Sequence, residues 1–137
     1  YESGIINYVF KATAKDTGGH SATQDINITI ININDNPPVF TSDNNKTVDE
    51  EQLDAITLSA SDIDNRVAVL NVLEFSIIDG ADKSKFNINK TTGVVTFKES
   101  AKPDFESGKT SYSFKVKVSD TLFSDTQDIN ITIKNIS

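Results

Sequence analysis

An eight-residue segment of this 137-residue chain occurs twice, letter for letter. The sequence Thr-Gln-Asp-Ile-Asn-Ile-Thr-Ile occupies residues 23–30 and again residues 126–133. The residues upstream of the two copies also resemble each other at nearly the same offset. Repetition at this spacing indicates repeated structural units rather than one irregular domain. We therefore predict the C-terminal part of one repeat with its linker, residues 1–36, followed by a complete repeat, residues 37–137.

Hydrophobic and polar residues alternate through most of the chain, most clearly at residues 56–60, 112–118 and 129–133. Successive side chains of a strand point to opposite faces, so this pattern predicts strands that bury one face and expose the other. Seven antiparallel strands at this spacing predict an all-β fold, a seven-stranded Greek-key immunoglobulin-like β-sandwich preceded by a partial repeat, with no helix. The predicted strands are 6–15 and 22–33 in the partial repeat, and 40–48, 54–60, 72–78, 85–88, 94–98, 110–119 and 126–136 in the complete one.

The composition argues against several classes of function. The chain has 20 acidic and 13 basic residues and a formal net charge of -7, so it lacks the basic surface that nucleic acid requires. It has no cysteine and a single histidine, which leaves no thiol chemistry and no partners for a zinc site or a catalytic triad. No apolar run approaches the roughly 18 residues of a membrane span. We expect no enzyme activity and no membrane insertion within this fragment.

Oxygen-bearing side chains cluster between the two repeats. Asn34, Asp35 and Asn36 follow an alternating strand and precede Pro37 and Pro38. The prolines fix φ and keep the preceding backbone extended, so the linker is semi-rigid. Carboxylate, amide and carbonyl oxygens are the ligands that calcium prefers. The junction is therefore a candidate site for Ca²⁺.

Five separated segments resemble the motifs of cadherin repeats and occur in that family's order. They are residues 32–36 for the D-x-N-D-N linker, Glu50 for the early glutamate, residues 62–64 for the D-x-D motif, residues 104–106 for the D-R-E position and Asp120 for the late aspartate. Each motif alone is weak, because most D-x-D sequences are turns in which the side chains bond the local backbone. Together they cover nearly the whole chain. The bias toward Asn, Ile, Lys and Thr further resembles the repeats of large bacterial surface proteins.

The resemblance implies a calcium-binding junction between consecutive repeats. Clustered carboxylates repel one another by up to ~4 kcal/mol per close pair at an effective dielectric near 20, and a divalent ion reverses the sign of that interaction. Asn32 stands where the family usually has Asp, so we expect fewer ions than usual. The implied ligands are Glu2, Asn34, Asp35, Asn36, Asp62, Asp64 and Asp120, with Glu50, Asp104 and Glu106 as half of a second junction at the far end.

The resemblance also implies an extracellular, cell-surface module that calcium stiffens within a protein of cell adhesion, including homophilic adhesion. Its partners would be calcium, neighbouring repeats and either another copy of the chain or a surface ligand. Two other functions stay open. A carbohydrate-binding module would need an exposed aromatic platform. A strand-exchange assembly module would use the apolar faces of the partial repeat, which nothing in the chain obviously covers.

Overall fold

The computed structural model describes residues 7–31, 33–65 and 72–136. Within these ranges the chain forms eleven strands, and its helical segments are four single 3-10 turns at residues 63–65, 83–85, 99–101 and 105–107. The strands are β1 (Asn7–Lys15), β2 (Ser21–Thr29), β3 (Val39–Phe40), β4 (Asn45–Asp49), β5 (Asp54–Thr57), β6 (Ala60–Ser61), β7 (Glu74–Asp79), β8 (Phe86–Ile88), β9 (Val94–Phe97), β10 (Ser111–Ser119) and β11 (Ser124–Lys134).

Strands β3 to β11 form two sheets that pack face to face. One sheet has the strand order β4-β11-β10-β7, in which β4 runs parallel to β11 and the other pairs are antiparallel. The second has the order β5-β9-β8, and the short pair β3-β6 adjoins it because only two residues separate β5 from β6. The all-β sandwich predicted from the alternation is confirmed.

The first strand of the sandwich was predicted as one unbroken segment, residues 40–48. In the structure this segment is divided into two strands, β3 and β4. The Thr41 N–H donates to the Ser59 carbonyl at 2.9 Å, which ends the pairing of β3 with β6. The chain then crosses to the other sheet, where β4 pairs with β11. Hydrophobic alternation cannot reveal this break, because both halves of the segment are extended.

The core lies between the sheets and is rich in aromatic rings. The ring of Phe86 lies 4.6 Å from that of Phe97 and 4.4 Å from that of Phe114. Tyr112 meets Phe97 edge to face at 5.1 Å. Aromatic pairs at such distances contribute about 0.5–1.5 kcal/mol beyond the burial of their area. Strand β10 supplies buried side chains at every second position, as its alternation predicts.

The hairpin β1–β2 repeats the geometry of the hairpin β10–β11. Tyr8 pairs with Ile28 as Tyr112 pairs with Ile131, and the positions between them and the turn match in register. Their environments differ, because Tyr8 is 49% exposed and Tyr112 is 6% exposed. The equivalents of the buried Val116 and Val118 are the alanines at positions 12 and 14. The hairpin thus has the strands of a repeat but no second sheet over its apolar face in the described part of the chain.

We expect Gly93→Ala to lower the free energy of unfolding by about 2–4 kcal/mol. Gly93 has φ 75°, and a Cβ there would lie 2.6 Å from the carbonyl oxygen of Leu58. Gly108→Ala is the matched control, since Gly108 has φ 91° but no atom within 4 Å of the added Cβ. It should lose only the left-handed preference, about 1 kcal/mol. Urea unfolding measures both, and equal losses would contradict the importance of the close backbone approach.

Candidate metal centre

Three buried aspartates lie together at the end of the sandwich that the linker enters. Asp62 follows β6, Asp64 lies in the 3-10 turn after it, and Asp120 follows β10. Asp62 is 9% exposed, and Asp64 and Asp120 are 0% exposed. The Asp64 N–H donates to Asp62 Oδ1 at 2.9 Å, and the carboxylates of Asp62 and Asp120 interact directly. Burial of adjacent carboxylates is unfavourable unless each is paired or bound, so the cluster needs a physical reason.

Asp64 binds the backbone of the linker. Its Oδ2 accepts the N–H groups of Asp35 at 3.2 Å and Asn36 at 2.9 Å, and its Oδ1 accepts the Asn36 Nδ2 at 2.9 Å. Burial alone would raise the pKa of Asp64, but these hydrogen bonds outweigh it and leave the pKa below its ordinary value. Asp64 is therefore ionised at neutral pH, and its charge is directed at the junction.

Asp120 is held by its own turn. Its Oδ1 accepts the N–H groups of Leu122 at 2.9 Å and Phe123 at 2.7 Å. Burial raises the pKa of Asp120, but these bonds, together with one from the side chain of Asn34, bring the pKa below its ordinary value. The contact with Asn34 brings a second linker residue to the cluster.

Asp62 is the unsatisfied member of the cluster. Its Oδ2 is buried and has no hydrogen-bond partner among the described residues. Burial raises the pKa of Asp62, and the neighbouring charges of Asp64 and Asp120 raise it further against the single bond from the Asp64 N–H. An acceptor-only oxygen beside two ionised carboxylates is a place where a cation gains more than any neutral donor would.

A second acidic cluster lies at the opposite end of the sandwich. One carboxylate oxygen from each of Glu50, Asp104 and Glu106 lies within 4.8 Å of the other two, and this is the one such trio among the described residues. Glu50 is 3% exposed, whereas Asp104 and Glu106 are exposed. The Asp104 Oδ1 accepts the Glu106 N–H at 3.0 Å, which shapes the loop that carries both.

Glu50 uses both of its oxygens on backbone groups. Its Oε1 accepts the Ile136 N–H and its Oε2 accepts the Phe105 N–H, each at 3.0 Å. The bond from Ile136 lowers the pKa of Glu50 against the opposing effect of burial, and the bond from Phe105 lowers it further. Glu50 therefore stays ionised well below neutral pH.

Comparison with known proteins decides what kind of module carries these clusters. No protein-family model matches the chain. It is 34% identical over 132 residues to the Fat-like cadherin-related tumor suppressor homolog of Drosophila melanogaster, across 90% of this chain and 3% of that protein. It is 35% identical over 89 residues to Cadherin-related family member 2 of Mus musculus, across 64% of this chain and 7% of that protein.

A solved structure agrees with these relatives. Protocadherin Gamma B2 extracellular cadherin domains 3-6 match with a TM-score of 0.79 and 22% identity, across 97% of this chain and 33% of that one. The chain belongs to the cadherin repeat family. It spans only a small part of the relatives named above. Cadherin repeats are non-enzymatic extracellular modules of cell-surface proteins, and this chain is such a module. None of the described residues form a helix long and apolar enough to cross a bilayer.

The structure of this cadherin repeat brings most of the predicted ligands into two groups. Asn34, Asp35, Asn36, Asp62, Asp64 and Asp120 lie at the entry end, and Glu50, Asp104 and Glu106 lie at the exit end. Glu2 lies outside the described residues, as does Asn32. Whether these groups bind metal stays a prediction.

Two roles in this cadherin repeat have no signal in the sequence. Asp125 Oδ2 accepts the Phe40 N–H at 3.0 Å and fastens β3 beside the linker, yet an Asp at the start of a strand reads as an ordinary turn residue. Thr121 has φ 87°, and this left-handed conformation helps to close the turn that holds Asp120. A β-branched residue is an unusual choice there, so composition does not predict it.

Asp64→Ala would also destabilise the metal-free protein, so it does not test metal binding cleanly. Asp64 is fully buried and accepts three hydrogen bonds from the linker. Alanine would remove the acceptor of these half-buried donors, and a hydrogen bond to a charged acceptor contributes about 1.5–3 kcal/mol when well shielded and less where water can replace it. Asp62 is the better position for a test, because one of its oxygens has no partner to lose.

We expect Asp62→Asn to stabilise the calcium-free protein at neutral pH by about 1 kcal/mol, the size of one hydrogen bond. Asn keeps an oxygen for the Asp64 N–H and presents an amide donor to Asp120. Because the folded-state pKa of Asp62 is raised, its ionised form opposes folding at neutral pH, and this opposition fades as pH falls through the raised pKa. The gain over wild type should therefore shrink on acidification. Asp64 and Asp120, whose pKa values are lowered, stay ionised through that window.

Urea unfolding in a chelator, from neutral pH down toward the ordinary aspartate pKa of about 3.9, measures this difference. Asp54→Asn is the matched control, because Asp54 is an exposed aspartate of β5. It should change the free energy of unfolding by less than about 0.5 kcal/mol at any of these pH values. A loss of stability in Asp62→Asn at neutral pH would show that the ionised Asp62 carboxylate does not oppose folding.

Proposed function

We propose that this chain is a calcium-binding cadherin repeat whose entry end binds Ca²⁺ and thereby stiffens its junction with the preceding repeat. The observation that carries the proposal is Asp62, whose buried Oδ2 has no hydrogen-bond partner among the described residues and lies beside two ionised aspartates. Such an arrangement is unfavourable for the protein alone. It becomes favourable when a divalent cation joins the carboxylates.

The donor set at the entry end suits calcium. Carboxylates of Asp62, Asp64 and Asp120 would supply most of the charge, with Asp35 from the linker as a bridging carboxylate. The Asn36 Nδ2 donates to Asp35 Oδ1 at 2.8 Å and to Asp64 Oδ1 at 2.9 Å, so its own amide oxygen is the atom left for a cation. These are hard oxygen ligands from three separate segments, which is the kind of shell that calcium accepts and magnesium fits poorly. Asn34 and, from the preceding repeat, Glu2 would complete it.

The exit end would form half of a second site. Glu50, Asp104 and Glu106 already lie close enough for their oxygens to share one ion. A following linker and repeat would supply the remaining ligands, as Asp62, Asp64 and Asp120 do at the entry end. We expect this half-site alone to bind calcium more weakly, because three carboxylates fall short of the six to eight oxygens that calcium takes.

We also propose that residues 1–36 are the C-terminal part of a preceding repeat with its linker, and that residues 37–137 are one complete repeat. The shared register of the hairpins β1–β2 and β10–β11 supports this division. So does the exposed apolar face of the first hairpin, which matches the face that β10–β11 buries. Neighbouring repeats are thus its immediate partners, and adhesion through an array of repeats is the whole-protein role that fits.

Neither rival function is favoured by a specific feature. A carbohydrate platform would need exposed rings side by side, and the pair that comes nearest is Tyr8 and Phe10 of β1. Both lie on the hairpin face that the proposed division assigns to contact with the rest of the preceding repeat. Strand-exchange assembly would use the hairpin face, which the proposed division assigns to a preceding repeat.

We expect calcium to stabilise the chain by about 2.7 kcal/mol at a concentration of about one hundred times its Kd. For a domain of this size, that is a rise in Tm of roughly 10 °C or more. Asp62→Asn should lose most of the rise while remaining folded, since it removes one charge from the site and keeps the internal hydrogen bond. Thermal unfolding with and without calcium measures the effect.

Two controls accompany this experiment. Asp54→Asn removes an exposed carboxylate away from the cluster and should keep the full rise. Sodium chloride at matched ionic strength tests whether simple screening of the net charge is enough. Coincident melting curves with and without calcium would overturn the proposed function, and so would an undiminished rise in Asp62→Asn.

A further inference from the structure

Two buried carboxylates, one at each end of the sandwich, bind the backbone of a linker. At the exit end, Glu50 Oε1 accepts the Ile136 N–H at 3.0 Å, just after β11 ends. At the entry end, Asp64 Oδ2 accepts the N–H groups of Asp35 at 3.2 Å and Asn36 at 2.9 Å, just before β3 begins. Both contacts are between a side chain of the sandwich and main-chain groups that lie outside its strands.

The internal repeat relates these two contacts to each other. The segment that ends β11 recurs at the end of the partial repeat, so Ile136 occupies the position in the exit linker that Ile33 occupies in the entry linker. A linker between two such repeats would therefore be bound twice within four residues. The glutamate of the preceding repeat would bind its first half, and the aspartate of the following repeat would bind its second half.

The energetics of these contacts do not involve a cation. Hydrogen bonds to an ionised acceptor are stronger than neutral ones, and burial strengthens them further. Glu50 and Asp64 are 3% and 0% exposed, and the carboxylate of each accepts two backbone N–H groups. Glu50 Oε2 also accepts the Phe105 N–H, so the same side chain fastens the loop that carries Asp104 and Glu106.

We propose that Glu50 and Asp64 are linker-positioning residues, which hold the two halves of each linker against the repeats they adjoin through backbone hydrogen bonds that need no cation. Calcium would then bind to a linker whose direction is already restricted at both ends, and would fix the remaining freedom. The inference concerns the junctions of the proposed function, but it rests on the hydrogen bonds and not on metal binding.

Amide hydrogen exchange on the full chain in a chelator tests this. In the wild-type protein, the amides of Asn36 and Ile136 should exchange at least about tenfold more slowly than amides in an unstructured peptide. Glu50→Gln replaces one acceptor oxygen by a donor. Both hydrogen bonds lose the charge of their acceptor, and one of the two amides loses its acceptor oxygen. The exchange rate of at least one of Ile136 and Phe105 should therefore rise about tenfold or more, while that of Asn36 stays unchanged. Asp64→Asn should raise the exchange rate of Asn36 and leave the exchange rates of Ile136 and Phe105 unchanged.

Matched controls separate positioning from general loss of stability. Glu51→Gln makes the same chemical change on the adjacent exposed residue, and Asp54→Asn makes it on β5. Both should leave the linker amides at wild-type rates. The amides of Val116 and Ile131 report on global opening, because both residues are fully buried in the core strands.

Each outcome decides the matter. Exchange of the wild-type Asn36 and Ile136 amides at unstructured rates in the chelator would overturn the inference. So would an equal rise at the linker and at Val116 and Ile131 in both variants, since that is the effect of general destabilisation. If the Tm depends on calcium but the linker amides are unprotected, the positioning role is rejected and the proposed function stands. If the linker amides are protected but calcium has no effect, the proposed function is rejected and the positioning role stands.

Discussion

The hydrogen bond between a buried carboxylate and a backbone N–H is the interaction on which both ends of this molecule depend. Asp64, Asp120 and Glu50 are almost completely shielded from water, and each is kept ionised by main-chain donors. These bonds compensate the loss of hydration that burial imposes on the charge. The strands fix the positions of the three carboxylates. The carboxylates in turn hold the loops and linker segments that they bind. The sandwich supplies rigidity in the middle, and the acidic residues extend order to its two ends.

Asp62 departs from this rule, and the departure gives the entry end its chemistry. Its neighbours satisfy their oxygens within the protein, whereas one oxygen of Asp62 finds no donor among the described residues. A structure that only needed stability would place an amide there. Under the proposed function, retaining the acid lowers the stability of the protein alone and raises its affinity for a positive ion, a combination that is common at functional sites. The two ends are thus built from the same residue types but differ in how completely they are satisfied.

The sequence was sufficient for the fold class, because alternation along segments such as 112–118 follows from the pleat of a strand. It also grouped Asp62, Asp64 and Asp120, since motif order in a repeat family reflects their meeting at one end. It failed where structure depends on a change of partner. The break between β3 and β4 and the anchoring of β3 by Asp125 both arise from contacts between segments distant in the chain. No local pattern of hydrophobicity encodes such contacts. The same limit hides a second role of Asp64, which the motif predicts only as a ligand but which also binds the linker backbone.

The shared register of the two hairpins would carry a risk in the proposed arrangement of consecutive repeats, since adjacent domains with similar strands can exchange them while folding. Alanines at positions 12 and 14 stand where the second hairpin has Val116 and Val118, both fully enclosed. If the first hairpin docked in the place of β10–β11, it would leave voids where those valine side chains belong, and unfilled space in a core is destabilising. A difference in side-chain volume at two positions would thus allow neighbouring repeats to share one backbone geometry while each core still packs best with its own strands.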